Sequence, residues 1–193
     1  MARTKRLFYN GGIFHVINRG NRHQNIFLNE EDYEIFLFLF SQYHEPYDFK
    51  VISYCLMTNH FHFLIEMGSV SLSLIMKKIL SEYASGFNVR HQYDGHLFQG
   101  RFSAYEVISN QYLLAANKYI HLNPVKAHMV ETPDKYRYSS FNAFIRKEEC
   151  PDFLYPQKVM CHFNNNPLAY KWFITSAEIS DIDIIVEADA KSE

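Results

Sequence analysis

The sequence has 193 residues, of which 48% are hydrophobic and 17% aromatic, and its formal net charge is −2. That apolar content suits one domain with its own core and excludes a chain that is disordered throughout. The net charge excludes a uniformly basic protein, but residues 1–147 carry 16 Lys and Arg against 12 Asp and Glu, and residues 148–193 carry 3 against 9. A basic body with an acidic tail keeps nucleic acid open as a partner.

The first two predicted elements are a strand and a helix. A short apolar run bounded by glycines predicts a strand at 12–18. Asn29 is a candidate N-cap, three acids follow it, and Pro46 stops the apolar pattern. Because acids in the first turn suit the helix dipole, we expect a helix at 30–44.

A pair of strands and a second helix come next. The segments 49–57 and 60–67 predict two strands joined by a tight turn at Thr58 and Asn59. Apolar residues then recur with a helical period, which predicts a helix at 71–91.

The segment FSAYEVIS, 102–109, predicts a fourth strand. A third helix is expected to begin at the Ser109/Asn110 cap and to end at Pro124, since the residue before a proline avoids the helical region. The order β-α-β-β-α-β with one further helix predicts an α+β fold. We expect a ferredoxin-like split βαβ sandwich, in which helices cover one face of an antiparallel sheet.

The chain divides at about residue 147. Residues 1–147 are the predicted domain, and 148–193 are an acidic C-terminal extension with one short helix, Leu168 to Ser176. Three cysteines without CxxC spacing indicate reduced thiols, and no apolar segment is long enough for a signal peptide or a membrane span. We therefore expect a soluble, cytoplasmic protein.

The segment MTNHFHFLIEM, 57–67, is strongly apolar, yet it contains His60 and His62. Side chains two residues apart on a strand point to one face, so the two imidazoles converge while Phe61 and Phe63 point into the core. Two neutral imidazoles can bind one divalent cation. The alternative is one hydrogen-bonded histidine and one at the sheet surface.

Tyr119 and Asn123 lie four residues apart on the third predicted helix and share one of its faces. If that helix crosses the histidine strand, it brings a carbonyl oxygen and a phenol to the two imidazoles. The alternative is a partly buried helix tyrosine and an asparagine that caps the helix before Pro124. The chain has 14 tyrosines, and spacing alone does not select Tyr119.

Five phrases occur in order over about residues 1–146: IFHVINRGNRHQNIF, VISYCLMTNHFHFLI, GHLFQGRFSAYEV, KYIHLNPVKA and YRYSSF. Together they resemble the single-tyrosine HUH transposases, and more narrowly the REP-associated tyrosine transposases of bacteria. The resemblance implies a metal-dependent endonuclease and strand transferase for single-stranded DNA that acts at hairpin or repeat DNA. It also implies that the enzyme forms a 5′-phosphotyrosine intermediate.

The resemblance also implies roles for single residues. His60 and His62 stand at the histidine–hydrophobic–histidine motif that binds a divalent metal, Mg²⁺ or Mn²⁺, in that family. Tyr119 stands at the catalytic nucleophile. Asn123 stands where relatives place a polar third metal ligand, often glutamine, and the shorter asparagine reduces the reach of its carbonyl oxygen.

Basic residues fall in two sets that we interpret as candidate DNA contacts, with the cations on phosphates and neighbouring aromatic rings on bases. The alternative for the second set is a solvated helix face beside core aromatics. The first set is Arg3, Lys5, Arg6, Arg19 and Arg22, and the second is Lys77, Lys78, Arg90 and Arg101.

Two other functions stay open. One is a domesticated protein that binds repeat hairpins without cleaving them, and the other is a metal-dependent hydrolase of small phosphoesters. The oligomeric state, monomer or homodimer, is open as well, because small relatives share active sites across a dimer while longer REP-associated chains are thought to act as monomers. No membrane partner is expected.

Overall fold

The computed structural model describes residues 8–176. Four strands form one antiparallel sheet in the order β2-β3-β1-β4. The strands are β1 (Ile13–Arg19), β2 (Phe49–Leu56), β3 (His60–Met67) and β4 (Ser103–Glu106). The two central strands, β1 and β3, are joined through α1 and β2, as in a split βαβ unit. The predicted α+β fold is confirmed.

Within residues 8–176, six α-helices accompany the sheet: α1 (Glu30–His44), α2 (Leu72–His91), α3 (Asn110–Lys126), α4 (Phe141–Phe144), α5 (Gln157–Met160) and α6 (Pro167–Thr175). The side chain of Asn29 caps α1 by accepting a hydrogen bond from the Asp32 backbone N–H at 3.1 Å. Ser109 caps α3 in the same way, accepting from the Tyr112 N–H at 3.1 Å. Both predicted N-caps are therefore confirmed.

The prediction that Pro124 ends α3 is wrong, because the helix continues to Lys126. Proline removes one backbone donor, and in the last turn of a helix that loss affects a single bond. The turn is closed instead by hydrogen bonds from the Ala127 N–H to the Asn123 carbonyl and from the Met129 N–H to the Pro124 carbonyl, both 2.9 Å. Asn123 therefore stays in helical conformation, one turn after Tyr119.

Apolar side chains are buried on both faces of the sheet. Phe61 and Phe63 lie, as predicted, in a core that α1 and α2 cover. The prediction of helices on one face alone is incomplete, because α3 packs on the opposite face. The reason is that Ile52 and Leu64 point to this second face and need a cover, which α3 supplies together with α5 and α6.

The described part of the C-terminal extension, 148–176, packs into both cores. Phe153 joins the α1/α2 side, while Tyr170 and Ile174 join the α3 side. The short helix predicted near the C-terminus is present as α6, whereas α5 was not predicted. The boundary between 1–147 and 148–193 stays a prediction. Within the described chain, no helix has the length and apolarity to cross a membrane.

Candidate active site

The site forms on the sheet face that α3 covers. In the register of the two central strands, His60 lies opposite Arg19 and His62 lies opposite Ile17. Because strand side chains alternate, His15, Ile17 and Arg19 of β1 share this face with the two histidines. The sheet thus places three imidazoles and a guanidinium group on one surface.

His60 and His62 lie side by side, with ring centroids 5.1 Å apart. The Nδ1 atom of His60 lies 2.7 Å from the Asn59 Oδ1. The Asn59 amide nitrogen donates to the His23 carbonyl at 3.3 Å, which identifies the atom facing His60 as the oxygen. An oxygen accepts only, so His60 carries its proton on Nδ1 and keeps the lone pair on Nε2.

A third histidine, His15, contacts His62 from the neighbouring strand. Its Nε2 lies 3.1 Å from the His62 Nδ1, and both rings are buried. This contact leaves Nε2 as the His62 nitrogen for an added ligand, the same atom as in His60. A hydrogen bond to the other ring nitrogen is the usual way in which proteins orient a metal-binding histidine.

Burial keeps these imidazoles neutral. It lowers the pKa of His60 to about 4, with a further lowering from Arg19 and an opposing effect from a hydrogen bond to Asn123. Burial also lowers the pKa of His62 well below its usual range, and the neighbouring His60 and His15 add to this effect. At neutral pH each ring therefore carries only one proton and keeps a lone pair on its other nitrogen, as metal binding requires.

Tyr119 reaches the histidines from α3. Its ring centroid lies 5.4 Å from that of His62 and 6.1 Å from that of His15, and the side chain is half-buried. The Nζ atom of Lys126, two turns further along the helix, lies 5.1 Å from the Tyr119 ring centroid. The structure thus places the predicted nucleophile beside the predicted metal ligands.

Asn123 also points into this site. It is buried, its amide nitrogen donates to the Tyr119 carbonyl at 3.1 Å, and its side chain hydrogen-bonds His60. Asn59 and Asn123 therefore compete for the single proton of a neutral His60. With a cation bound, the His60 Nε2 and the Asn123 oxygen would both serve as ligands, and the His60 proton would stay on Nδ1.

The residues present thus fit a divalent cation. Among residues 8–176, no group of three His, Cys, Asp or Glu side chains forms a metal cluster. The carbonyl oxygen of Asn123 would supply a third protein ligand beside the two imidazoles, and an oxygen donor suits a hard cation such as Mg²⁺ or Mn²⁺.

Comparison with known proteins identifies the family. Residues 9–123 match the family model described as "Transposase IS200 like". The chain belongs to the IS200-like transposase family. The matched stretch of this IS200-like transposase contains His60, His62, Tyr119 and Asn123.

Two relatives extend the comparison over most of this transposase. A Haemophilus influenzae chain named as a REP-associated tyrosine transposase is 24% identical over 167 residues, which cover 79% of this chain and 92% of the relative. A solved structure of a REP-associated tyrosine transposase bound to a REP hairpin has a TM-score of 0.66 at 18% identity, with 94% of both chains covered. The resemblance seen in the sequence is confirmed.

The basic residues predicted to contact DNA occupy different positions in this transposase. Arg3, Lys5 and Arg6 lie outside the described residues. Arg19 is half-buried beside His60 and donates to the Gln99 side chain, while Arg22 is exposed on the turn that follows β1. Of the two members of this set that the structure describes, Arg19 lies beside the histidines and Arg22 does not.

The residues of the second basic set also occupy different environments. Lys77 and Arg101 line one groove beside α2. Lys78 forms an ion pair with Glu82 at 3.0 Å, and Arg90 forms one with Asp32 at 2.9 Å. The latter two cations therefore have acidic partners within the fold.

Three residues of the site were missed in the sequence: His15, Asn59 and Lys126. His15 lies 47 positions before His62, and only the pairing of β1 with β3 reveals the contact. The sequence predicted only a turn position for Asn59. Lys126 was beyond the expected end of α3, although its spacing of seven residues from Tyr119 places both on one helix face.

Proposed function

We propose that this transposase is a metal-dependent endonuclease and strand transferase for single-stranded DNA, with Tyr119 as its nucleophile. The observation that carries the proposal is the position of the Tyr119 ring, 5.4 Å from the ring of His62 within one chain. A phenol beside two neutral imidazoles and a carbonyl oxygen suits phosphodiester transfer, because the nucleophile and the cation ligands are close enough to act on the same phosphate.

The chain's own groups have distinct tasks in this proposal. His60 and His62, through Nε2, and Asn123, through its oxygen, would hold Mg²⁺ or Mn²⁺. When bound, the cation supplies Lewis-acid stabilisation of the charge that develops on the scissile phosphate. Asn123 also fixes the Tyr119 backbone through its hydrogen bond to the Tyr119 carbonyl, so the ligand and the nucleophile are positioned together.

In the reaction, the Tyr119 oxygen attacks phosphorus and forms a phosphotyrosine bond while the bond from phosphorus to the 3′ oxygen breaks. The departing oxygen takes up a proton and becomes a 3′-OH, and the phenol proton passes to solvent. Lys126 near the ring favours the negative charge of the attacking phenolate. One phosphoester bond replaces another, so the energy of the broken bond is retained in the phosphotyrosine link. A 3′-OH can later attack this link and rejoin a strand without nucleotide triphosphate.

The proposed substrate is hairpin DNA. The solved relative is bound to a REP hairpin, and we propose hairpin or repeat DNA with a single-stranded flank for this chain, recognised in part by Arg19. A DNA substrate also accords with the cytoplasm as the location. Since the imidazoles, Asn123 and Tyr119 come from one chain, the site supports action as a monomer.

The test is a denaturing gel with end-labelled hairpin DNA and Mg²⁺ or Mn²⁺. We expect a slowly migrating, protease-sensitive adduct of protein and DNA that does not form in the presence of EDTA. The Tyr119→Phe variant is expected to form no adduct while its affinity for DNA stays unchanged. Tyr105→Phe is the matched control, because Tyr105 is a second tyrosine near the site, with its ring 6.4 Å from His15. Cleavage by Tyr119→Phe would overturn the proposal. Binding without any adduct would indicate the non-cleaving hairpin binder, and turnover of small phosphoesters without DNA would indicate the hydrolase.

A further inference from the structure

Arg19 is the cation that the sheet places beside the histidine pair. It lies directly opposite His60 in the antiparallel register of β1 and β3, a position in which Cβ atoms are about 4.5–5.5 Å apart. Both side chains are half-buried. The charge of Arg19 contributes to the lowered pKa of His60, so the guanidinium group acts on the site electrostatically.

A positive charge at this position opposes the binding of a second cation. His60, His62 and Asn123 are all neutral at pH 7, so the proposed cation ligands do not offset the charge of Arg19. A divalent cation on these ligands would be repelled by the guanidinium group. An anion that touches both would be attracted by both. The placement of Arg19 therefore indicates that the occupied site includes an anion, and a phosphodiester matches the fork of a guanidinium group.

The Arg19 side chain is held in place by Gln99. The Arg19 Nε donates to the Gln99 Oε1, and the Gln99 N–H donates to the Arg19 carbonyl at 3.0 Å. Next to this pair, Gly20 and Phe98 form an antiparallel bridge, which fixes the loop on the end of β1. Because Gln99 is neutral and bonds to Nε, this contact orients the guanidinium plane without neutralising its charge and without using its Nη groups.

We propose that Arg19 is a further catalytic residue, whose Nη groups donate hydrogen bonds to the non-bridging oxygens of the scissile phosphate. The inference rests on the proposed function for its reaction. As the bond from the Tyr119 oxygen to phosphorus forms and the bond to the 3′ oxygen breaks, negative charge grows on the non-bridging oxygens. Arg19 keeps all its protons and stabilises that charge, and Gln99 is its positioning residue.

The first experiment measures the single-turnover rate of adduct formation at saturating hairpin DNA and Mn²⁺. We expect Arg19→Gln to lower this rate by about 10²–10³-fold, the usual effect of removing one donor to a developing charge. The affinity for DNA in EDTA is expected to change far less. Arg146→Gln is the control, because Arg146 is an exposed arginine after α4 that also donates to a neutral oxygen, the Asn165 carbonyl at 3.5 Å.

A second substrate separates catalysis from a structural role. A methylphosphonate at the scissile position replaces one charged oxygen by a methyl group and removes the charge on which Arg19 acts. With this substrate, Arg19→Gln and the unchanged protein are expected to form the adduct at similar rates. Mn²⁺ binding without DNA is expected to be no weaker in Arg19→Gln, because a repelling charge is removed. Weaker Mn²⁺ binding would place the defect at the cation ligands and overturn the inference.

Gln99→Glu tests the positioning residue. Glutamate keeps an acceptor for the Arg19 Nε but neutralises the guanidinium charge, so we expect a slower reaction with the phosphate substrate although the contact is retained. Equal losses of Arg19→Gln on both substrates, or an unchanged rate in Arg19→Gln or Gln99→Glu, would overturn the inference alone. Absence of an adduct from the unchanged protein with either metal would overturn the proposed function, and the inference with it.

Discussion

The Nε2 atom of His15 lies 3.1 Å from the Nδ1 atom of His62, and both rings are buried under α3. The bond holds the His62 ring so that its Nε2 is left for a ligand. His15 is thus a positioning residue for the proposed cation site, one strand away from the residue that it orients.

Replacing His15 by Phe keeps a ring of similar shape but removes the bond to His62. We expect the affinity for Mn²⁺ to fall by about 10- to 100-fold, the usual effect of losing such a supporting contact. Titration of Mn²⁺ by electron paramagnetic resonance measures this directly, without DNA. His162→Phe, at an exposed position, serves as the control. An unchanged Mn²⁺ affinity in His15→Phe would show that His62 needs no such support.

The proposed cleavage within a single chain can be tested with a mixture of two variants. Tyr119→Phe retains the metal ligands and His62→Ala retains the tyrosine, so a dimer that shared its sites would restore one complete site in a mixture. We expect no adduct from the mixture, because the proposal has the imidazoles and the phenol act within one chain. The gel assay on an equimolar mixture, preincubated and compared with each variant alone, checks this. Restored activity would show that two chains share a site.

The carboxylate of Asp32 ties α1 to the end of α2. It accepts hydrogen bonds at 2.9 Å from the Leu28 N–H, the Arg90 guanidinium and the His91 Nε2, and it is fully buried. Burial by itself raises the pKa of Asp32, but the hydrogen bonds outweigh it, so the folded-state pKa lies below the usual value. Its stabilising contribution is therefore complete above the unfolded pKa and is lost as pH falls through the folded pKa.

We expect Asp32→Asn to lower the free energy of unfolding by about 3–5 kcal/mol at pH 7, because it breaks a buried ion pair. The difference from the unchanged protein begins to shrink as pH falls below the unfolded pKa, about 3.9, and disappears as pH passes the lower folded-state pKa, where the native carboxylate becomes protonated. Urea unfolding at a series of pH values measures both effects. Glu31→Gln, on the exposed first turn of α1, is the control and should cost less than about 0.5 kcal/mol. A pH-independent difference would contradict this account of Asp32.

Tyr170 of α6 connects the C-terminal extension to α3, the helix that carries Tyr119. Its hydroxyl donates to the Asn117 Oδ1 at 2.5 Å and lies 2.6 Å from the His121 Nδ1, and all three side chains are buried. Asn117 and His121 flank Tyr119 on α3. This contact therefore supports the segment of α3 that presents Tyr119.

Tyr170→Phe leaves two buried polar groups on α3 without their partner. We expect a loss of about 1–3 kcal/mol in the free energy of unfolding, within a single cooperative transition. Chemical denaturation followed by circular dichroism and by the fluorescence of Trp172 on α6 tests this. Tyr155→Phe, at an exposed tyrosine, is the control. Separate transitions for the two signals would show that α6 unfolds independently of the sheet.

Sequence patterns predicted the parts of this site that depend on local geometry. The alternation of a strand places His60 and His62 on one face and Phe61 and Phe63 on the other, whatever the rest of the fold does. The sequence indicated the N-cap of α3 equally well, because a serine side chain satisfies the first free N–H groups of the helix.

Other features depend on tertiary contacts that no local pattern contains. The bond between His15 and His62 requires the register of two strands that are 47 residues apart. The continuation of α3 past Pro124 depends on how its last turn is closed, and the local rule for proline predicted otherwise. The choice of Tyr119 among 14 tyrosines came from the family resemblance, and the structure then placed that ring beside His62.

The measurement that tests the central claim most directly is the identification of the amino acid that becomes attached to DNA. The protein is incubated with hairpin DNA and Mn²⁺, the adduct is digested with trypsin and nuclease, and the remaining nucleotide is located by tandem mass spectrometry. The account predicts a nucleotide joined through its 5′ phosphate to Tyr119. A nucleotide on any other residue, or cleaved DNA with a free 5′ phosphate and no adduct, would contradict it.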